Sequence, residues 1–163
     1  MYKKSTLLVL LMVIAIALAA CAPAATLTAT SSTTSSTSTG TKLNLNTVTS
    51  DELLSTIPGF PSRMVREFQE YRPYLSIQQF RKEIGKYIDD AQVAEYEKYV
   101  YVPIAINDSD SATLQQIPGL DATAADTLIA GRPYASTADF LTKLGTLISA
   151  DELETAKSYL GAN

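Results

Sequence analysis

At 163 residues, 46% of them hydrophobic, the chain is long enough for one ordinary domain or two small ones with a real core. It has no histidine and a single cysteine, which excludes zinc sites, histidine-based triads and an intramolecular disulfide. Its formal charge of −4 is opposite in sign to the basic excess expected of a nucleic-acid binder.

Residues 1–20 combine a basic start at Lys3 and Lys4, an apolar run over 7–17 and a small-residue end, the pattern of an export signal. The apolar run is short for a membrane span. Leu18-Ala19-Ala20-Cys21 resembles the lipobox of bacterial lipoproteins, which implies that Cys21 is lipidated and becomes the mature N-terminus. The alternative for Cys21 is a buried structural thiol. Each acyl methylene placed in a bilayer contributes roughly 0.8 kcal/mol, so the resemblance implies an exported protein anchored to the cell envelope by lipid. The anchor would lie on the outer face of the cytoplasmic membrane, or in the outer membrane if there is one; Ala22 after the cysteine favours the latter. Residues 21–42 hold this cysteine and a stretch of almost pure Ala, Ser and Thr, which has too little apolar surface to offset ordering. As a flexible coil it spans roughly 25 Å. From Cys21 onward, 11 basic residues face 17 acidic ones.

Two globular units are expected, residues 43–102 and 103–163. In the first, Thr49 with Glu52 fits a capping box for a helix from Ser50 to Thr56 that stops at Pro58. Ile57-Pro58-Gly59-Phe60 reads as a tight hairpin. A second helix starts near Pro61 and runs to about Tyr71, with Met64, Val65, Phe68 and Tyr71 facing the core and Arg63, Arg66, Glu67 and Glu70 facing water. Ser76 caps a third helix carrying Ile77, Phe80 and Ile84, which Gly85 ends. A fourth is expected from about Asp89 to Tyr99, with Val93, Tyr96 and Val100 on one side. Residues 54–100 align without a gap with residues 114–160, and about a dozen positions are identical, among them Ile117-Pro118-Gly119, Arg132-Pro133-Tyr134 and Gly145. The matches fall on turn and core positions, so one fold is duplicated. The short junction Val102-Pro103-Ile104 places the two copies close together.

The opening Leu43-Asn44-Leu45-Asn46-Thr47 with Glu52-Leu53, the two Pro-Gly-hydrophobic hairpins, and the closing Tyr71-Arg72-Pro73-Tyr74 resemble the ComEA-like helix-hairpin-helix family. The resemblance covers nearly all of residues 43–160. It implies an all-α fold of two tandem units, about four short helices each, and weak, sequence-independent binding of double-stranded DNA, with a role in DNA uptake. In DNA-binding members a second glycine follows the hydrophobic residue, and backbone donors at the start of the second helix hold a phosphate oxygen. This chain departs from that pattern: Pro61 stands there in the first unit and Asp121 in the second.

In the first hairpin, Gly59, Phe60, Ser62, Arg63 and Arg66 are candidates for a phosphate site, the alternative being a plain turn with solvated arginines. Gly119, Leu120 and Asp121 of the second hairpin read as structural, Asp121 capping the next helix. Lys82 and Lys86, with Arg81, flank Ile84-Gly85-Lys86, which occupies the place of a second, degenerate hairpin; a solvated face is the other reading. Arg72 and Arg132 should bind local carbonyls or carboxylates. The tyrosines read as half-buried core. No catalytic residue, metal site, cofactor or small-molecule substrate is expected. The rival to DNA binding is an envelope scaffold that uses the same fold to hold a protein partner. A continuous positive strip from Arg63 and Arg66 to Lys82 and Lys86 would favour DNA, and a broken one the scaffold.

Overall fold

The computed structural model describes residues 42–161, all within one compact unit, Ser38–Asn163. The export signal, Cys21 and the Ser/Thr stretch lie outside the described residues. Helix α1 is Ser50–Thr56, α2 Ser62–Glu70, α3 Ile77–Ile84 and α4 Asp90–Tyr96; α5 is Ser111–Leu114, α6 Ala122–Ala130, α7 Thr137–Leu144 and α8 Ala150–Ala156, followed by a 3-10 turn at Lys157–Tyr159. The described chain is mainly helical, with two short strands, β1 Leu43–Asn44 and β2 Val100–Tyr101.

Local chemistry sets where most helices begin. The Thr49 amide and hydroxyl both donate to Glu52 Oε2 at 2.8 Å, and Ser149 with Glu152 repeats that box at α8. Ser76, Asp89, Asp121 and Ser136 each accept from the backbone amide three residues on. Such caps satisfy donors that no intrahelical carbonyl can reach.

Two expectations need correction. The fourth helix ends at Tyr96 rather than Tyr99, because Val100 and Tyr101 leave the helical course to pair in parallel with Leu43 and Asn44. The backbone bonds Leu43 N–H to Tyr99 O (2.8 Å) and Leu45 N–H to Tyr101 O (2.9 Å) outweigh the helical spacing of Val93, Tyr96 and Val100. On α2 the inward stripe is Met64, Glu67 and Phe68, with Val65 and Tyr71 only half-buried; Glu67, expected to face water, is 6% exposed. The three-and-four spacing was right, and a carboxylate occupies one of its places.

Each repeat has its own apolar cluster. In the first, Phe68 makes edge-to-face contacts with Phe60 (4.9 Å between centroids), Phe80 (5.2 Å) and Tyr96 (5.6 Å), surrounded by Leu53, Ile57, Met64 and Ile84. In the second, Phe140 stacks edge-on against Tyr134 at 5.3 Å among Leu114, Leu120, Leu128 and Leu144. The repeats meet through polar bonds, one buried and two half-buried. Ile77 N–H, at the start of α3, donates to Thr113 Oγ1 of α5 at 3.0 Å, and both sides of the Gln116 amide bind the backbone of Val102. An isolated parallel bridge between Ile104 and Leu160 repeats in the second copy the pairing of β1 with β2. Five tyrosines (74, 96, 101, 134 and 159) are buried, while Tyr87 is exposed.

Candidate functional site

Both Pro-Gly turns have the same backbone. Gly59 (φ 65°) and Gly119 (φ 76°) lie in the left-handed region, and the next amide returns to the helix end, Phe60 N–H to Ile57 O and Leu120 N–H to Ile117 O, each at 3.2 Å. Phe60 and Leu120 are buried, so each turn is pinned by its hydrophobic residue while its glycine stays exposed. The two turns differ in what lies over them.

At the first turn the entry to α2 is open. Pro61 is the cap residue and supplies no side-chain acceptor, so neither Ser62 nor Arg63 has its amide capped. Ser62 and Arg63 are exposed, and nothing lies within 4 Å of where a Cβ on Gly59 would sit. At the second turn, Asp121 accepts the Ala124 amide at 2.8 Å. The Glu152 carboxylate, reaching across from α8, lies where a Gly119 Cβ would be. Two carboxylates therefore fill the place an anion would take, one expected from sequence and one not. The counterpart of Glu152 sixty positions earlier is the neutral Gln92, which leaves Gly59 uncovered.

The cations are divided between paired and unpaired. Arg66 donates to Glu67 Oε1 at 2.9 Å and approaches Glu70 at 4.0 Å, although its side chain is 81% exposed. Lys86 pairs with Glu83 and sits 4.9 Å above the Tyr71 ring. Arg63 and Lys82 are exposed and make no ion pair with a described residue. Of the four basic residues, Arg66 and Lys86 are thus paired with carboxylates, while Arg63 and Lys82 are not paired with a described residue. Gly85 does not repeat the hairpin: its φ of −60° is right-handed, and it closes α3 where a Cβ would press on Arg81 O at 2.7 Å. This corrects the reading of Ile84-Gly85-Lys86 as a second, degenerate hairpin.

The Arg66 hydrogen bond, helped by the Tyr87 hydroxyl, holds the Glu67 carboxyl below its usual range. Tyr87 is in turn bonded to the Tyr71 hydroxyl at 2.8 Å and is pushed above the ordinary tyrosine range, first by that bond and then by Glu67. Arg72 Nη2 donates to Val48 O and Arg132 Nη2 to Ser109 O, each at 2.6 Å, so both arginines serve local carbonyls as expected. Among the described residues no cluster of three metal-ligating side chains occurs, and no helix is long and apolar enough to cross a membrane. Comparison with family models, with characterised proteins and with solved structures gave no match to this chain.

Proposed function

We propose that the chain is a tandem helix-hairpin-helix protein, exported and tethered to the envelope through Cys21, which binds the backbone of double-stranded DNA weakly and without regard to sequence, and has no catalytic role. The observation that carries this reading is the contrast between the turns: nothing lies over the first left-handed glycine, no carboxylate caps α2 and Arg63 makes no ion pair with a described residue, while the second turn is filled by its own carboxylates. Uncapped amides and the helix dipole favour an anion at the start of α2. Arg63 adds the charge, Ser62 a hydroxyl, and the paired Arg66 a weaker contribution at the edge. The second repeat then serves as a structural partner.

A second reading is a scaffold for an envelope protein. It is favoured by the carboxylates that neutralise Arg66 and Lys86 and by the second repeat's three basic against eight acidic residues. Fluorescence anisotropy of a labelled duplex with the full chain in mild detergent separates the two. One phosphate contact gives a salt slope of about 1 in log–log form, with Arg63→Glu abolishing the binding. Absence of binding at low salt and micromolar protein removes the DNA reading and leaves the scaffold.

A further inference from the structure

Where the two repeats meet there is an open cleft of about 480 Å³ that neither hairpin uses. Lys42 and Arg81 line one side, with Glu97 between them, and Gln115 of the segment after α5 lines the other. Arg81 spends Nε and Nη2 on the two oxygens of Glu97, at 2.7 and 2.8 Å, which uses up that carboxylate. Lys42 donates to the Glu97 main-chain oxygen at 2.8 Å and, among the described residues, to no carboxylate. The lining of the cleft therefore holds two cations and one acid, and among the described residues nothing accepts from Arg81 Nη1 or from the remaining N–H groups of Lys42. Asp110 acts on Arg81 from further off, but one of its oxygens is bound to the Thr113 amide at 2.7 Å. Gln116 is fixed on both sides of its amide to Val102, which makes that wall rigid. The network has no counterpart within the second repeat, where Pro103, Leu141 and Lys157 stand in the places of Lys42, Arg81 and Glu97. It exists only where one repeat is joined to the other.

The geometry points to this cleft as a binding site for a phosphate group, taken by the donors of the Lys42 ammonium and the Arg81 guanidinium that Glu97 does not use. A phosphate's oxygens can accept from both donors, and such charge-assisted hydrogen bonds are stronger than neutral ones. Burial lowers the Lys42 pKa, with Glu97 opposing it only in part, so the ammonium is short of a counter-ion before any ligand arrives. The phosphate can be free in solution or part of a nucleic-acid backbone. The site does not depend on the hairpin reading.

Calorimetric titration of the full chain in detergent with inorganic phosphate, against sodium acetate at matched ionic strength, tests it. Saturable phosphate binding is expected, weakened roughly tenfold in Lys42→Gln, the factor that one lost charge-assisted bond gives. Gln115→Glu, on an exposed residue and so safe for folding, should abolish it by putting a carboxylate at the cleft wall, and Arg63→Glu should leave it intact. No saturation, equal binding of acetate, or wild-type affinity in both cleft variants overturns the site. The duplex assay repeated with Lys42→Gln tells the sources apart: weaker DNA binding identifies the backbone, and unchanged DNA binding with lost phosphate binding identifies the free ion.

Discussion

Gly59 and Gly119 have the same conformation and opposite surroundings, so the same substitution should have different costs. A residue with a Cβ in the left-handed region costs about 1–2 kcal/mol. At Gly59 an added methyl meets nothing, and Gly59→Ala should cost about that much and no more. At Gly119 it meets the Glu152 carboxylate, which must move away and give up its place in the Ser149 capping box. Gly119→Ala should therefore cost about 1 kcal/mol beyond Gly59→Ala, the usual value of a lost cap. Urea unfolding of the two variants measures the difference, and equal losses would show that Glu152 does not cover the turn. At this scale the sequence was legible where cause and effect are neighbours. Asp121 precedes its helix directly, so its capping role could be read. Glu152 lies far along the chain from Gly119, and its capping-box spacing with Ser149 announces a helix start but nothing about the turn it covers.

Among the elements, helix starts were legible and strands were not. Thr49, Ser76 and Asp121 cap through side chains three residues from their targets, a relation that spacing alone reveals. Strands β1 and β2 are two residues each, too short for an alternating pattern, and their pairing joins positions far apart in sequence. The capping boxes also predict how stability should follow pH. Bonds from the Thr49 and Ser149 backbone amides, then from their hydroxyls, lower the carboxyl pKa of Glu52 and Glu152 in the folded chain. A carboxylate depressed on folding stabilises the native state fully above its unfolded pKa, and that contribution is lost as pH falls through the folded value. The midpoint of urea unfolding should drop between neutral pH and pH about 3, where unfolded carboxylates are already protonated. In the double variant Glu52→Gln, Glu152→Gln the drop should be shallower, with Glu67, also depressed, accounting for part of what remains. A drop as steep as in the parent chain would mean that the boxes carry no charge-dependent stability.

For the whole molecule, duplication was legible and its consequence was only half so. Matching residues sixty positions apart reveal two copies, and the short junction implies that they lie close. It does not reveal that one copy caps a helix of the other. Thr113 is fully buried, and its hydroxyl accepts the first amide of α3, a donor that would otherwise have no partner. Together with Gln116 on Val102, it binds the two apolar clusters through polar bonds that exist only when both repeats are folded. Folding of the described unit should therefore be cooperative across the repeats. Tyrosine fluorescence, dominated by the first repeat, and far-ultraviolet dichroism, which reports both, should give coincident unfolding curves. Thr113→Val keeps the shape and removes the acceptor, leaving a buried N–H unsatisfied at a cost of about 1–3 kcal/mol. Its unfolding free energy should fall by that amount while the two curves remain together, because the apolar surfaces still meet. Curves that separate in the parent chain would mean that the repeats fold as independent bodies, and the cleft between them would then be no fixed site.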